Sequence, residues 1–224
     1  MPDIKIAPYG SWQSPITSDL IVSETVRLSD VAIDGRDIYW VEMRPSEGGR
    51  YVVVRCTPDQ QTADITPADF NARTRVHEYG GRSFAVDKTN VYFSNYIDQH
   101  IYCQTPHSDP ERLTSDVGLR FADIIVDRRR HSLICVCEDH SRQQAEPENK
   151  LIRLDLAGDG EPGGRSIRTL ASGSNFYASP SLSPDGSLLA WLSWNHPNMP
   201  WDGTELWLFC LRPHRLVEHL PAKG

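Results

Sequence analysis

The sequence contains no apolar run near the ~18 residues that a membrane-spanning helix requires, so no part of it reads as a transmembrane segment. The amino terminus, from Met1 to Trp12, carries Asp3, Pro2 and Pro8 where a secretory leader would need continuous apolar sequence, and a cytoplasmic location is expected. Basic residues are in deficit. The 23 Lys and Arg face 30 Asp and Glu for a formal charge of −7, a balance that repels a phosphate backbone and excludes nucleic acid as a partner. The only basic cluster, Arg128-Arg129-Arg130-His131, falls where a hairpin tip is expected and reads as a solvated turn. There is no Gly-x-Ser-x-Gly, hence no strand-to-helix turn to expose a nucleophilic serine, and no catalytic residue is expected. The Gly-rich stretch from Gly158 to Gly164 lacks the Lys-Ser/Thr of a phosphate loop. Cysteines are few and odd in number: Cys56, Cys103, Cys135, Cys137 and Cys210 each sit in a strand-like stretch and are expected to be buried free thiols. Cys135 and Cys137 share one strand face, but no second pair completes a zinc site, so neither metal nor cofactor is expected.

What is present is a repeat. Turns rich in Asp, Gly, Asn and Pro occur at 34–37, 87–90, 127–131 and 183–186, and their composition suits hairpin reversal. After each comes a strong strand: Ile38-Tyr39-Trp40-Val41, Val91-Tyr92-Phe93-Ser94, Leu133 to Cys137 and Leu188 to Leu192. These strands are β-branched and aromatic, and apolar on both alternating faces, so each must be covered on both sides. A third strand follows in every unit, as in Tyr51-Val52-Val53-Val54 or Leu206-Trp207-Leu208-Phe209. Fourth strands end Ala63 to Thr66, Glu111 to Thr114 and Ile167 to Leu170. Four strands per unit, repeating every ~40–60 residues with both faces buried, describe the blades of an all-β propeller. A β-sandwich would alternate apolar and polar residues more cleanly. The expected layout is a lead-in at 1–21, blades at about 22–70, 71–116, 117–172 and 173–211, and a diverged or truncated tail at 212–224. About four four-stranded blades form an open part of a larger propeller. The terminal units should then present an apolar face with no neighbour, carrying Trp40, Val52, Val54, Trp191, Trp207 and Phe209.

The unit Ser179-Pro180-Ser181-Leu182-Ser183-Pro184-Asp185-Gly186 resembles the SPDG-type blade of bacterial propellers. Three longer stretches narrow this: Pro8-Tyr9-Gly10-Ser11-Trp12, Arg73 to Gly81 with its His77-Glu78-Tyr79-Gly80-Gly81, and Trp194 to Trp207. Together they resemble the N-terminal propeller of the acylaminoacyl-peptidase and dipeptidyl-aminopeptidase branch of the prolyl oligopeptidase family, from about Pro8 to Leu211. The resemblance implies a propeller that caps an α/β-hydrolase peptidase domain, absent from this chain, and that gates short peptide substrates. A stand-alone propeller that presents its rim to another protein is the alternative reading.

In a propeller, the connections into each first strand and the loops between second and third strands emerge at one rim. That rim should carry Arg75, His77, Glu78, Tyr79, Arg120, Asp139, His140, Tyr177, His196, Asn198 and Trp201, a mixture of groups suited to a peptide or a partner domain. Each has a structural alternative: Tyr79-Gly80-Gly81 as a tight backbone passage, Trp201 as a plug between blades. His77 and Glu78, read as neighbours on a strand, point to opposite faces and form no acid/base pair.

Overall fold

A computed structural model of the chain describes residues 6–11, 14–23, 25–142, 146–157 and 164–211. Its strands fall into separate antiparallel sheets in sequence order. The first joins β1 (Arg27–Asp34), β2 (Asp37–Arg44), β3 (Arg50–Cys56) and β4 (Thr62–Asp64). The second joins β5 (Phe84–Asp87), β6 (Asn90–Ser94), β7 (Ile101–Gln104) and β8 (Glu111–Arg112). The third joins β9 (Leu119–Asp127), β10 (Ser132–Asp139), β11 (Glu148–Asp155) and β12 (Ile167–Ser172), and the fourth β13 (Phe176–Leu182), β14 (Leu188–Trp194) and β15 (Glu205–Cys210). The result is four blades of a β-propeller, the last with three strands among the described residues. A short helix, α1 (Ser18–Ser23), precedes them. No helix among the described residues is long and apolar enough to cross a membrane.

The two short fourth strands are completed by side chains. Val53 and Ile101 donate their backbone N–H groups to the hydroxyls of Thr66 and Thr114, at 3.1 and 3.0 Å, which takes over a ladder position from the backbone. The expected strand ends at these two threonines are thus polar caps, not strand.

The apolar residues of one face of each blade meet those of the next. Tyr39, Val41 and Val53 of blade 1 pack on Phe84, Val91 and Phe93 of blade 2. Tyr92, Ile101, Cys103 and Leu113 of blade 2 pack on Ile124, Leu133, Cys135 and Ile152 of blade 3. Ile134, Val136 and Leu151 of blade 3 pack on Leu189 and Trp191 of blade 4. This is why the second strands are apolar on both faces.

Two polar belts tie the blades together. Near the axis, β1, β9 and β13 each carry a bulge with a non-glycine residue at positive φ: Asp30 (44°), Asp123 (54°) and Ser179 (53°). The strain is offset by hydrogen bonds, since Asp30 accepts the Ser83 N–H at 3.2 Å and Asp123 accepts those of Arg82 and Ser179 at 2.9 and 2.8 Å. The second belt is the turn at 128–131, where Arg128, Arg129 and His131 are exposed as expected but the arginines also reach the neighbouring blades. Arg128 pairs with Asp87 at 2.6 Å and Asp34 at 3.7 Å, reaching blades 2 and 1, while Arg129 donates to the Asp185 carbonyl of blade 4 at 3.2 Å. Arg130 holds Asp127 at 2.9 Å and donates to the carbonyls of Gly186 and Leu211 at 2.9 and 2.8 Å. The turn sits at the tip expected, and its guanidinium groups reach carboxylates and carbonyls at the ends of the neighbouring blades.

The arc has two faces without a neighbouring blade among the described residues, and their composition differs from expectation. Trp191, Trp207 and Phe209 face blade 3, with the two indoles stacked at 6.2 Å, because each lies one residue out of phase with the open side. On blade 1, Trp40, Val52 and Val54 do lie on the open side, but the valines are buried. The Trp40 indole donates to Glu42 at 3.0 Å, and Arg44 forks onto Asp64 at 2.6 and 2.7 Å, so these long side chains lie across the valines. The thiols split the same way. Cys103, Cys135 and Cys137 are buried as expected, whereas Cys56 and Cys210 are only half-buried, being on the two open faces.

Candidate functional site

Every loop that enters a first strand or joins a second strand to a third emerges at one end of the arc, as the topology requires. At its centre is the turn Val76 to Tyr79. His77 and Glu78 are not strand neighbours, as read from the sequence, but adopt positive φ values of 55° and 63° in a turn. The backbone turns here at Gly80, whose φ of +89° favours glycine, and a Cβ on Gly81 would come within 3.1 Å of Ala122 and Asp123. The tight passage expected of Tyr79-Gly80-Gly81 is therefore present. It thrusts Tyr79 outward, 70% exposed.

Under the turn lies a carboxylate. Glu138, the last residue but one of β10, is buried; it accepts the His77 backbone N–H at 3.1 Å and contacts the His140 Nε2 at 2.7 Å. Arg120 on β9 bridges it at 3.4 Å to Glu78 at 2.6 Å and also donates to the Arg75 carbonyl at 3.2 Å. The Arg120 guanidinium holds the Glu78 carboxyl below the usual carboxylate range. His77 Nε2 meets Asn149 Oδ1 at 3.2 Å. Its ring packs among Tyr79, Phe176 and Trp194 at 5.6, 5.2 and 6.0 Å, and Phe176 stacks on Trp194 and touches His196. The rings of His77, Tyr79 and Trp194 border a cavity of about 180 Å3 that reaches Val76, Ala122, Asp123 and Tyr177. On the other side of Tyr79 is a more polar groove of about 390 Å3 lined by Arg27, Asp30, Tyr51, Arg73 and Thr74. Tyr79 thus stands between an aromatic and a charged recess, an arrangement suited to an extended, amphipathic chain.

Of the residues picked from sequence, His77, Glu78, Tyr79, Arg120, His140 and His196 come together here. Tyr177 is buried beneath them, with its hydroxyl accepting the Ser174 N–H at 3.0 Å. Arg75 lies to one side, its guanidinium 4.3 Å over the Tyr96 ring. Asp139 pairs with Lys150 at 3.3 Å. Asn198 and Trp201 occupy the β14–β15 loop; Trp201 is 76% exposed and plugs no gap between blades. Glu138, Asn149, Phe176 and Trp194 are not among the residues picked from the sequence; all four are strand residues in the structure. The signal that could have found Glu138 is an acid near the end of a strand otherwise buried on both faces. No group of His, Cys, Asp and Glu that could hold a metal occurs among the described residues.

Burial holds His77 below the ordinary histidine pKa, against the pull of Glu138 and Asn149. The unfolded chain then takes up a proton first as pH falls below about 6.5, so this contribution to stability is present above that pH and lost below it. His100, also depressed by burial, adds to the same trend. His77→Gln should therefore lose less Tm than the unaltered chain between neutral and mildly acid pH. Equal losses in thermal unfolding would contradict this.

Fold and rim define the chain as a segment of a β-propeller whose one end gathers buried charge, aromatic rings and exposed apolar loops. No family model matches the sequence, and no curated relative matches it. Among solved structures, a puromycin-hydrolysing peptidase of Mycobacterium tuberculosis is 38% identical over 97% of the chain, with a TM-score of 0.82. A puromycin hydrolase is 33% identical over 97%, at 0.83. The chain spans about a third of the length of these proteins, 35% in each case. An acylaminoacyl peptidase of Pyrococcus horikoshii, at 10% identity and a TM-score of 0.54, shares the fold. The chain is homologous to the propeller portion of the puromycin-hydrolysing peptidases and belongs with the propellers of the prolyl oligopeptidase family.

Proposed function

We propose that this chain is the propeller portion of a cytoplasmic serine peptidase, that its rim meets an α/β-hydrolase domain, and that the recesses around Tyr79 gate short peptides. The observation that carries this is an asymmetry. Among the described residues, the exposed large apolar side chains on inter-strand loops, namely Tyr79, Ile97, Val117, Met199 and Trp201, all belong to one end of the arc. Helix α1, beside the Pro45–Glu47 turn at that end, adds Leu20 and Ile21, and Ile16 just precedes it. The opposite end bears Asp and Arg engaged with neighbouring blades. A loop surface of this kind, apolar with a polar Arg120–Glu78 centre, has the make-up of an interface core.

Binding to a separately produced hydrolase portion of a peptidase of this family tests the reading. Tyr79→Ala and Trp201→Ala should each weaken it by about tenfold or more, as exposed aromatic anchors do, with Tm unchanged. Arg36→Ala at the opposite end should have no effect. Binding insensitive to the rim variants, or absent, would favour a stand-alone module. The chain alone is expected to hydrolyse no acyl-peptide or aminoacyl substrate. Turnover that persists through repurification and is abolished by a serine-directed inhibitor would overturn the reading.

A further inference from the structure

The joint between blades 1 and 2 lies wholly within the unbroken described stretch 25–142, and at the end away from the loop rim it turns polar. Tyr39 of β2 and Arg55, its partner in β3, face blade 2, while Gln104, the partner of Val91, faces blade 1. Together they line a cavity of about 290 Å3, whose apolar walls are Ala63, Ile65 and Pro106. Thr89 of the β5–β6 turn also lines it, which places it at the end opposite the rim.

Two atoms of the residues around this cavity are buried without a hydrogen-bond partner among the described residues: the Tyr39 hydroxyl and the Gln104 Oε1. Tyr39 is 0% exposed, and its ring is packed into the joint, so its hydroxyl end is what meets the cavity. The chain cannot repair the mismatch by itself. The Gln104 amide is held in one orientation because its Nε2 donates to the carbonyls of Thr105 and Ser108, both at 2.6 Å; turned over, its oxygen would face two carbonyl oxygens. Arg55 is engaged too, with Nε and one terminal nitrogen on Asp37 at 2.8 and 2.5 Å. Asp64, which also lines the cavity, is forked by Arg44. The carboxylates are thus matched by guanidinium groups, and what remains is a fixed neutral donor on blade 1 and a fixed neutral acceptor on blade 2. Burial, with Asp37 and Asp34 nearby and against the pull of Arg55, pushes the Tyr39 phenol above its ordinary pKa, so it stays a donor at neutral pH.

We propose that this cavity binds a small neutral molecule carrying a primary carboxamide, whose C=O accepts the Tyr39 O–H and whose N–H donates to Gln104 Oε1. A carboxamide presents an acceptor and a donor on two atoms of one rigid plane without a charge, which is what the two orphaned groups ask for. The volume is roughly tenfold the ~30 Å3 that one water occupies and stands at the small end of ligand pockets, so a compact apolar body fits beside the amide against Ala63, Ile65 and Pro106. Because one hydrogen bond goes to each blade, the ligand braces the joint. The site is at the end away from the rim and does not rest on the proposed function.

Benzamide and isobutyramide, one flat and one compact, test the site on the complete chain, with acetophenone and benzoate as counterparts that lack the N–H donor. At least one carboxamide should raise the Tm saturably and shift the Gln104 side-chain amide and the Ala63 and Thr105 backbone signals in nuclear magnetic resonance spectra. Acetophenone and benzoate should bind about tenfold more weakly or less, the worth of one buried hydrogen bond. Tyr39→Phe removes an unmatched buried hydroxyl, so its Tm without ligand should equal or exceed that of the unaltered chain while its carboxamide affinity falls by about tenfold. These opposite signs separate a ligand group from a structural one. No saturable response to either carboxamide overturns the proposal, as does acetophenone binding equally well, which would mark a merely apolar recess. A Tm several degrees lower in Tyr39→Phe would show that ordered water already satisfies the hydroxyl within the fold, and overturns it as well.

Discussion

Replacing Arg130 with alanine should lower the unfolding free energy by about 2–4 kcal/mol, because one change removes three interactions and leaves a buried carboxylate without its guanidinium. Asp127 is 1% exposed, and Arg130 is its side-chain ion-pair partner. The backbone N–H groups of Arg129 and Arg130 still reach Asp127 at 3.2 Å, which keeps the cost below that of a fully abandoned charge. The other two contacts, to the carbonyls of Gly186 and Leu211, fasten blade 4 to blade 3. For a chain of this size the Tm should fall by roughly 5–15 °C, and limited proteolysis should cut blade 4 first. Arg130→Lys keeps the charge but cannot fork to three acceptors, so it should recover only part of the loss. A Tm within a degree or two of the unaltered chain would show that the clamp adds little to the apolar joint between Leu151, Leu189 and Trp191.

Removing Glu138 should have a comparable effect at the opposite end. Glu138→Ala leaves the His77 N–H without its acceptor beneath the turn and leaves Arg120 with only the exposed Glu78 and the Arg75 carbonyl. A cost of about 2–4 kcal/mol is expected for a buried charged acceptor of several donors. The turn should then loosen, and with it the packing of the His77 ring on Phe176 and Trp194. Trp194 is 5% exposed, so its release should move the tryptophan emission to longer wavelength. Glu138→Gln keeps an oxygen for the His77 N–H while giving up the charge, and should lose less than half as much. If emission and Tm in Glu138→Ala match the unaltered chain, the turn is held by Gly80, Gly81 and the aromatic packing alone.

The blades were legible in the sequence because their signals are local. Asp and Gly at 34–37 and Ser-Pro-Asp-Gly at 183–186 reverse the chain, and apolar residues in consecutive positions at 133–137 can only belong to a strand covered on both faces. The rim was legible as a set of loops, since strand order in a blade dictates which connections share an end. Within it the sequence pointed to His77, Glu78, Tyr79 and Arg120 but not to Glu138 or Trp194, whose partners come together only in the folded chain.

By itself, then, the sequence determined the strand-turn period, the four blades and which loops share an end. All of these depend on residues close together in the chain. Tertiary structure decided the rest. The arginines at 128–130 are largely exposed, as read from the sequence, but only the stacked blades show which carboxylates and carbonyls of blades 1, 2 and 4 they also reach. Val52 and Val54 look open until Arg44 and Asp64, 20 residues apart, fold across them. His77 looks like a strand residue until Glu138, 61 positions away, accepts its N–H. In each case a long polar side chain or buried charge chooses its partner by spatial proximity, and that proximity exists only after the blades have stacked.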